Sequence, residues 1–328
     1  MPYPAGADVR TIGLEPGAHP VAEEVPVRRR SRPRPRSRGR SAGAGLAAPL
    51  LLVALLAGCG SDGDDGASST TTAAAPATTS TAGSGAPTTA AGGGEADVLV
   101  YFARDEAVAT GGETVATPTV AQGALEALLA GPDGTEVDAG MGTEIPEGTE
   151  LLGVDIADGT ATVDLSSTFA SGGGSLSMTL RVAQVVFTLT QFDTVEEVDV
   201  RLDGEAVDGI GGEGVPSEDL TRADFEAVTP LILVESPVPG AVVTSPVELG
   251  GRSNTFEATV RYTVTAADGT VVADGFTTAT AGTGTWGTFS VSVALDGSPS
   301  GAGTVTAFEE SAEDGAQVNV YEVPVSFG

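Results

Sequence analysis

The chain of 328 residues contains no lysine: all 15 of its basic residues are arginines, and nine of them precede residue 59. It has one cysteine (Cys59), one histidine (His19) and one tryptophan (Trp286). From Gly60 onward there is no thiol, imidazole or side-chain amine, and several reaction classes drop out. Disulfides and Cys/His zinc sites are excluded, as are Ser-His-Asp and Cys-His nucleophilic machinery. Schiff-base and P-loop chemistry would need the missing lysine. Carboxylates remain for acid/base work of the glycosidase kind, but 41 of them follow Cys59 and their spread singles out no pair. The sequence therefore predicts no catalytic residue, no cofactor and no metal site.

Basic side chains are scarce in the same region. After Cys59, six scattered arginines face the 41 acids, a formal charge of −35. A polyanion binder needs clustered Lys and Arg, so nucleic acid is excluded as a partner. Anionic lipid headgroups would be repelled as well. The acidity is read first as a solubility device, ahead of a specific cation-binding role.

What is present begins with Cys59. Eight arginines lie between Arg28 and Arg40, Ala42 to Leu56 is apolar or small apart from Pro49, and Ala57-Gly58 precedes the cysteine. A charged segment, a short apolar run and small residues make an export signal. The apolar run is shorter than the roughly 20 residues of a spanning helix, which sets aside an uncleaved membrane helix. Leu56-Ala57-Gly58-Cys59 resembles the lipobox of bacterial lipoproteins, which implies a diacylated Cys59 as first residue of the mature chain. Two acyl chains suffice for stable anchoring. Residues 1–58 are thus expected to be the signal peptide, with 1–27 an over-extended start and Val27 the alternative one. The expected location is the outer face of the cytoplasmic membrane.

Gly60 to Ala96 contains only Ala, Gly, Ser, Thr and Pro besides Asp62, Asp64, Asp65 and Glu95. Without large apolar side chains nothing offsets the entropy of ordering such a segment. Residues 59–96 are read as a tether, with a root-mean-square reach of roughly 35 Å and the Thr/Ser/Pro content of glycosylated stalks. Ser61 to Gly66 has a faint calcium-loop look but lacks the distal glutamate, and is read as an acidic spacer.

From Asp97 the chain is patterned. Residues 97–210 give a strand at Asp97–Phe102 and a helix at Val120–Ala130, with Pro118 near its start and Gly131-Pro132 as its stop. A hairpin follows from Leu151–Ile156 to Thr160–Leu165 about Asp158-Gly159. A second helix from about Ser175 to Gln191 and a strand at Val195–Leu202 complete a β-α-β-β-α-β order. That order predicts a small α/β sandwich with its helices on one sheet face. After a linker at 211–230, residues 231–328 hold seven strand-like runs: 231–235, 247–251, 256–266, 270–276, 286–295, 303–309 and 318–327. They read as an immunoglobulin-like β-sandwich, so the fold class is α+β. Trp286 is read as a core or edge residue.

The first domain resembles the GerMN family of sporulation and spore germination proteins over about Val98 to Gly209. The resemblance is carried by Val100-Tyr101-Phe102, Ala124 to Pro132, Ile145 to Thr149, Ala161 to Ser166 and Ala183 to Phe192. The second resembles the Gmad immunoglobulin-like domain of bacterial spore germination, through Val234 to Pro237, Thr244 to Val247, Trp286 to Phe289, Ala307 to Ala312 and Val323-Pro324-Val325. This order behind a lipobox is similar to actinobacterial envelope lipoproteins. The resemblance implies a noncatalytic scaffold role in an envelope complex, linked to sporulation, germination or envelope signalling. It carries over no catalytic residue. The charge of −18 over Asp97 to Ile210 disfavours tight homotypic ring packing unless cations or a basic partner intervene.

Two G-x-G-x-x-G matches, Gly209 to Gly214 and Gly282 to Gly287, lack the strand-then-helix context of a dinucleotide site and read as linker and turn. Ala170 to Ser175 offers backbone amides to an anion, but reads first as a flexible connection with a serine cap. The expected function is capture of another envelope protein by a lipoprotein held through Cys59. A cell-wall glycan binder is the alternative, and a carboxylate-based glycan hydrolase the third reading.

Overall fold

In this computed structural model the described residues are 94–212 and 214–328, and they fall in one compact unit. Cys59, the signal peptide and nearly all of the tether lie outside them. The described part opens with a hairpin. β1 (Glu95–Arg104) pairs antiparallel with β2 (Ala107–Ala116) over their whole length. β1 therefore starts two residues inside the stretch read as tether, because Glu95 and Ala96 already pair with Ala116 and Val115.

β2 is the element that the sequence reading missed. Its centre, Thr110-Gly111-Gly112, looks like a turn, yet glycine inside a strand also marks a close approach. A Cβ on Gly111 would lie 1.9 Å from Glu136 Oε1, and one on Gly112 would lie 2.7 Å from Val238. Glu136 belongs to a short helix that was also unpredicted, α2 (Gly134–Asp138). Its capping box is closed by Asp133 and Glu136, a pair legible in the sequence as D-x-x-E. The Glu136 carboxylate accepts from the Gly112 and Asp133 amides.

The remaining predicted elements are present. α1 spans Val120–Ala130 and ends at Gly131, whose φ of 83° suits glycine. β3 (Leu151–Ala157) and β4 (Thr160–Leu165) form the hairpin about Asp158-Gly159, both with positive φ. α3 (Ser175–Leu189) crosses over to β5 (Glu197–Leu202), which pairs parallel with β4, and β6 (Glu205–Ala206) ends the sheet. The expectation of helices on one face of a single sheet is corrected here. β1–β2 is a separate sheet from β3-β4-β5-β6, and α3 touches β1, β2, β5 and α1. A helix enclosed in this way is buried almost all round, as α3 is from Leu180 to Leu189.

Two polar residues of this helix and one just past its end are spaced to lie on one stripe. Gln191 just past its end accepts from Leu99 N and donates to Leu99 O, and Thr188 accepts from Tyr101 N. Gln184 donates to Tyr101 O and accepts from Glu144 N. The stripe thus acts as a second ladder for the open edge of β1, whose backbone groups would otherwise be buried unpaired.

The stretch read as linker is packed from Val215 onward. Leu220 pairs with Val198 of β5, and Leu220, Phe225 and Val228 are buried. The last two lie on a 3-10 segment at Arg222–Val228. The second domain is the expected sandwich. One sheet has the order β11 (Val271–Thr278), β10 (Thr259–Ala266), β13 (Gly301–Glu310), β14 (Gln317–Phe327), β8 (Val242–Val243); the other runs β12 (Gly287–Val293), β9 (Val247–Ser253), β7 (Ile232–Ser236). Val260, Val264, Val305 and Val323 from the first sheet and Leu249, Phe289 and Val293 from the second are buried between them. No helix among the described residues is long and apolar enough to cross a membrane.

Candidate functional site: the seam between the domains

The two domains meet along a seam that uses three of the six arginines following Cys59. Tyr101 of β1 is fully buried, and its hydroxyl donates to Glu235 Oε1 at 2.6 Å. Glu235 reaches it because β7 is bulged there: Val234 pairs with Gly251 and Ser236 with Gly250, leaving Glu235 unpaired. Gly251 keeps the bulge possible, since a Cβ would lie 2.1 Å from the Leu233 carbonyl oxygen.

Arg222 closes the cluster. Its Nη1 meets Glu235 Oε1 at 2.8 Å, Nη2 donates to Phe187 O and the Tyr101 hydroxyl, and Nε donates to Thr190 Oγ1. The guanidinium carbon lies 5.1 Å from the Tyr101 ring and 4.7 Å from that of Phe187, a double cation–π contact. Burial, the Glu235 charge and the hydrogen bond given to it hold the Tyr101 phenol well above its ordinary range, against the opposing pull of Arg222. Burial works against the Arg222 charge, but Tyr101 and Glu235 outweigh it and raise its pKa.

A second group of contacts lies around Tyr321 of β14. Its buried hydroxyl accepts from Thr110 N at 3.0 Å, and the Arg104 guanidinium sits 4.4 Å from its ring centre. Arg104 Nη1 also donates to Glu322 O. Burial raises the Tyr321 phenol, with Arg104 opposing. Between the two groups, the turn Pro237 to Gly240 rests on the first domain: Val238 against Gly112, and Gly240 so close to Thr135 that a Cβ would lie 2.5 Å from its methyl.

The third arginine is Arg252 of β9. Its Nε is buried without a hydrogen-bond partner. Burial lowers its pKa, and the charge of Arg222 adds to this. Arg252 and the half-buried Trp286 line a cavity of about 70 Å³ together with Phe187, Arg222, Ala223, Glu226 and Thr229. Trp286 is therefore an edge residue at a domain junction.

The features set aside in the sequence fall elsewhere. In the first glycine run, Ile210 pairs with Val215 in an isolated antiparallel bridge. In the second glycine run, a Cβ on Gly282 would lie 2.5 Å from both Ala258 N and Thr255 O, so its glycine permits backbone packing. The loop at 170–175 does not carry the expected serine cap: Gly174 is the N-cap of α3 and no side chain caps it. Arg181 is folded against that loop and donates to Phe169 O and Ser171 O. Among the described residues no group of three or more acidic, His or Cys side chains is placed to hold a metal ion. The seam was missed because Tyr101, Arg222, Glu235 and Tyr321 are far apart in sequence, and no local spacing marks them as partners.

A fold of this kind, two modules sharing a polar seam, now has its family. Residues 99–208 match the model of the family described as sporulation and spore germination, the GerMN domain. Residues 231–316 match the immunoglobulin-like domain of bacterial spore germination. The chain belongs to the GerMN family through its first domain and carries a Gmad-type domain behind it. Among solved structures, the first GerMN domain of the sporulation protein GerM from Bacillus subtilis is similar at 30% identity, over 39% of this chain and 98% of that one, with a TM-score of 0.33. The tandem GerMN domains of the same protein match at 19% identity, over 71% and 61% of the two chains, with a TM-score of 0.37. A chain from Clostridium perfringens described as a lipoprotein matches at 20% identity, over 42% and 93%, with a TM-score of 0.31. No curated protein matches the chain. Both domains are thus of kinds associated with sporulation and germination, and neither family is described as an enzyme.

Proposed function

We propose that this protein is a noncatalytic lipoprotein, held through lipid on Cys59 at the outer face of the cytoplasmic membrane, that binds and positions other proteins of the cell envelope. The complex it serves belongs to sporulation, germination or envelope signalling. The observation that carries this reading is the seam. It joins two family modules into one body and so makes a continuous surface from two, which suits a scaffold. The Leu-Ala-Gly-Cys lipobox supports the anchor. Proximity labelling from the anchored protein, with crosslinking of the native lipoprotein, is the test. Reproducible protein neighbours are expected, and their absence would overturn the reading. Intact mass of the mature protein tests the anchor: a lipidated Cys59 as first residue is expected, and a retained Arg28 segment contradicts it.

The cell-wall glycan alternative has one observation in its favour. Phe256 and Phe276 stand 56% and 67% exposed on the second domain, and exposed rings are what sugar stacking needs. Retention of the protein on purified peptidoglycan, lost in Phe276→Ala, would favour that reading over protein binding.

A further inference from the structure

The cavity in the seam is lined unlike the acidic surface around it. Its volume, about 70 Å³, is well below the roughly 300 Å³ at which pockets for whole small molecules begin. It exceeds the about 10–15 Å³ needed by a single water. A single functional group projecting from a larger molecule fits that space, and Arg252 decides its chemistry.

Among the described residues Arg252 makes no ion pair, and its buried Nε has no partner. Nε is shut off from the cavity as well as from water, so the terminal Nη groups are what a ligand can meet. The two Nη groups form a planar fork that matches both oxygens of a carboxylate. Glu235 gives its Oε1 to Tyr101 and Arg222; its charge acts on Arg252, but the two make no ion pair. Glu226 lines the cavity from an exposed position; it opposes a second carboxylate and keeps the affinity low. Trp286 supplies an apolar wall for the methylenes next to a carboxylate. Tryptophan and arginine are also the residue types on which binding energy at protein interfaces concentrates.

We infer that this cavity receives one carboxylate, the side chain of an aspartate or glutamate on a protein partner, with Arg252 as its bidentate donor and Trp286 packed beside it. The inference rests on the binding role proposed above and gives that role a place and a chemistry.

Trp286 is the sole tryptophan of the chain, so its emission reports on this cavity alone. The full chain, anchored in detergent micelles, is titrated with N-acetylglutamate amide, its neutral glutamine analogue, acetate and inorganic phosphate. A saturable change in the millimolar range is expected with the glutamate probe, and none with the glutamine analogue. Binding should weaken about tenfold or more in Arg252→Gln, as loss of a charge-assisted fork requires, and tighten in Glu226→Gln. An equal response to the glutamine analogue, saturation by acetate or phosphate as tight as by the glutamate probe, or unchanged binding in Arg252→Gln overturns the inference. Should Arg252→Gln fail to fold, Glu226→Gln decides, because unchanged binding there overturns it too. If Arg252→Gln keeps every crosslinked neighbour of the wild type, the cavity is not the docking point and the envelope-binding role stands. A wild type that binds the probe but holds no neighbour sinks the binding role and, with it, the protein partner.

Discussion

Arg222 has two aromatic faces, a carboxylate, two hydroxyls and a backbone carbonyl around one guanidinium. Its side chain and that of Glu235 are 12% and 21% exposed, so removing either partner leaves the other charge largely out of water. Arg222→Ala is expected to destabilise the protein by about 3 kcal/mol, the lower end for breaking a buried ion pair, as read from denaturant unfolding. Tyr101 and Tyr321 add a pH dependence. Burial comes first among the causes that raise both phenols, so the folded protein keeps protons that the unfolded chain gives up near pH 10. Their contribution is complete below about pH 10 and is lost as pH rises toward the folded values. Unfolding at increasing pH should therefore show a loss of stability above about pH 10 that is reduced in Tyr101→Phe and Tyr321→Phe. None of these residues was legible as a site, because Arg222 and Tyr101 are 121 residues apart and Arg222 sits in a stretch whose composition reads as linker.

Elements differed in how plainly the sequence announced them. α1 and the β3–β4 hairpin were legible nearly to the residue, since helical spacing with a Gly-Pro stop and an Asp-Gly turn are local signals. β2 was not, because Gly111 and Gly112 answer to Glu136 and Val238, contacts that only the folded chain brings together. α3 was found as a helix, yet the meaning of its polar stripe was hidden. Gln184 is fully buried and serves both Tyr101 O and Glu144 N, partners that no local pattern names. Gln184→Leu keeps the volume but removes these two bonds and a third to Thr143 Oγ1, leaving two backbone groups unpaired. A loss of about 2–6 kcal/mol is expected, from about 1–3 kcal/mol per buried unsatisfied group, with a lowered thermal midpoint. A melting temperature equal to the wild type would mean that the stripe is not what closes the edge of β1.

At the scale of the whole molecule, the two-domain order was legible from texture: helical spacing before residue 210, short strands after 230. The joining of the domains was not, because a linker composition says nothing about what packs on it. Leu220, Phe225 and Val228 bury there, and the turn at Pro237 to Gly240 settles on the first domain. The sparse cations explain the choice of seam. In a chain this acidic the facing surfaces would repel one another, and Arg104, Arg222 and Arg252 place positive charge where the domains meet. A single body is also what the proposed role requires, since a partner that touches both domains then meets a preorganised surface and less ordering cost on binding. Calorimetric unfolding of the full chain at neutral pH tests that claim most directly. The seam predicts one transition, with calorimetric and van't Hoff enthalpies equal; two separate transitions, unmoved by Arg222→Ala, would contradict it.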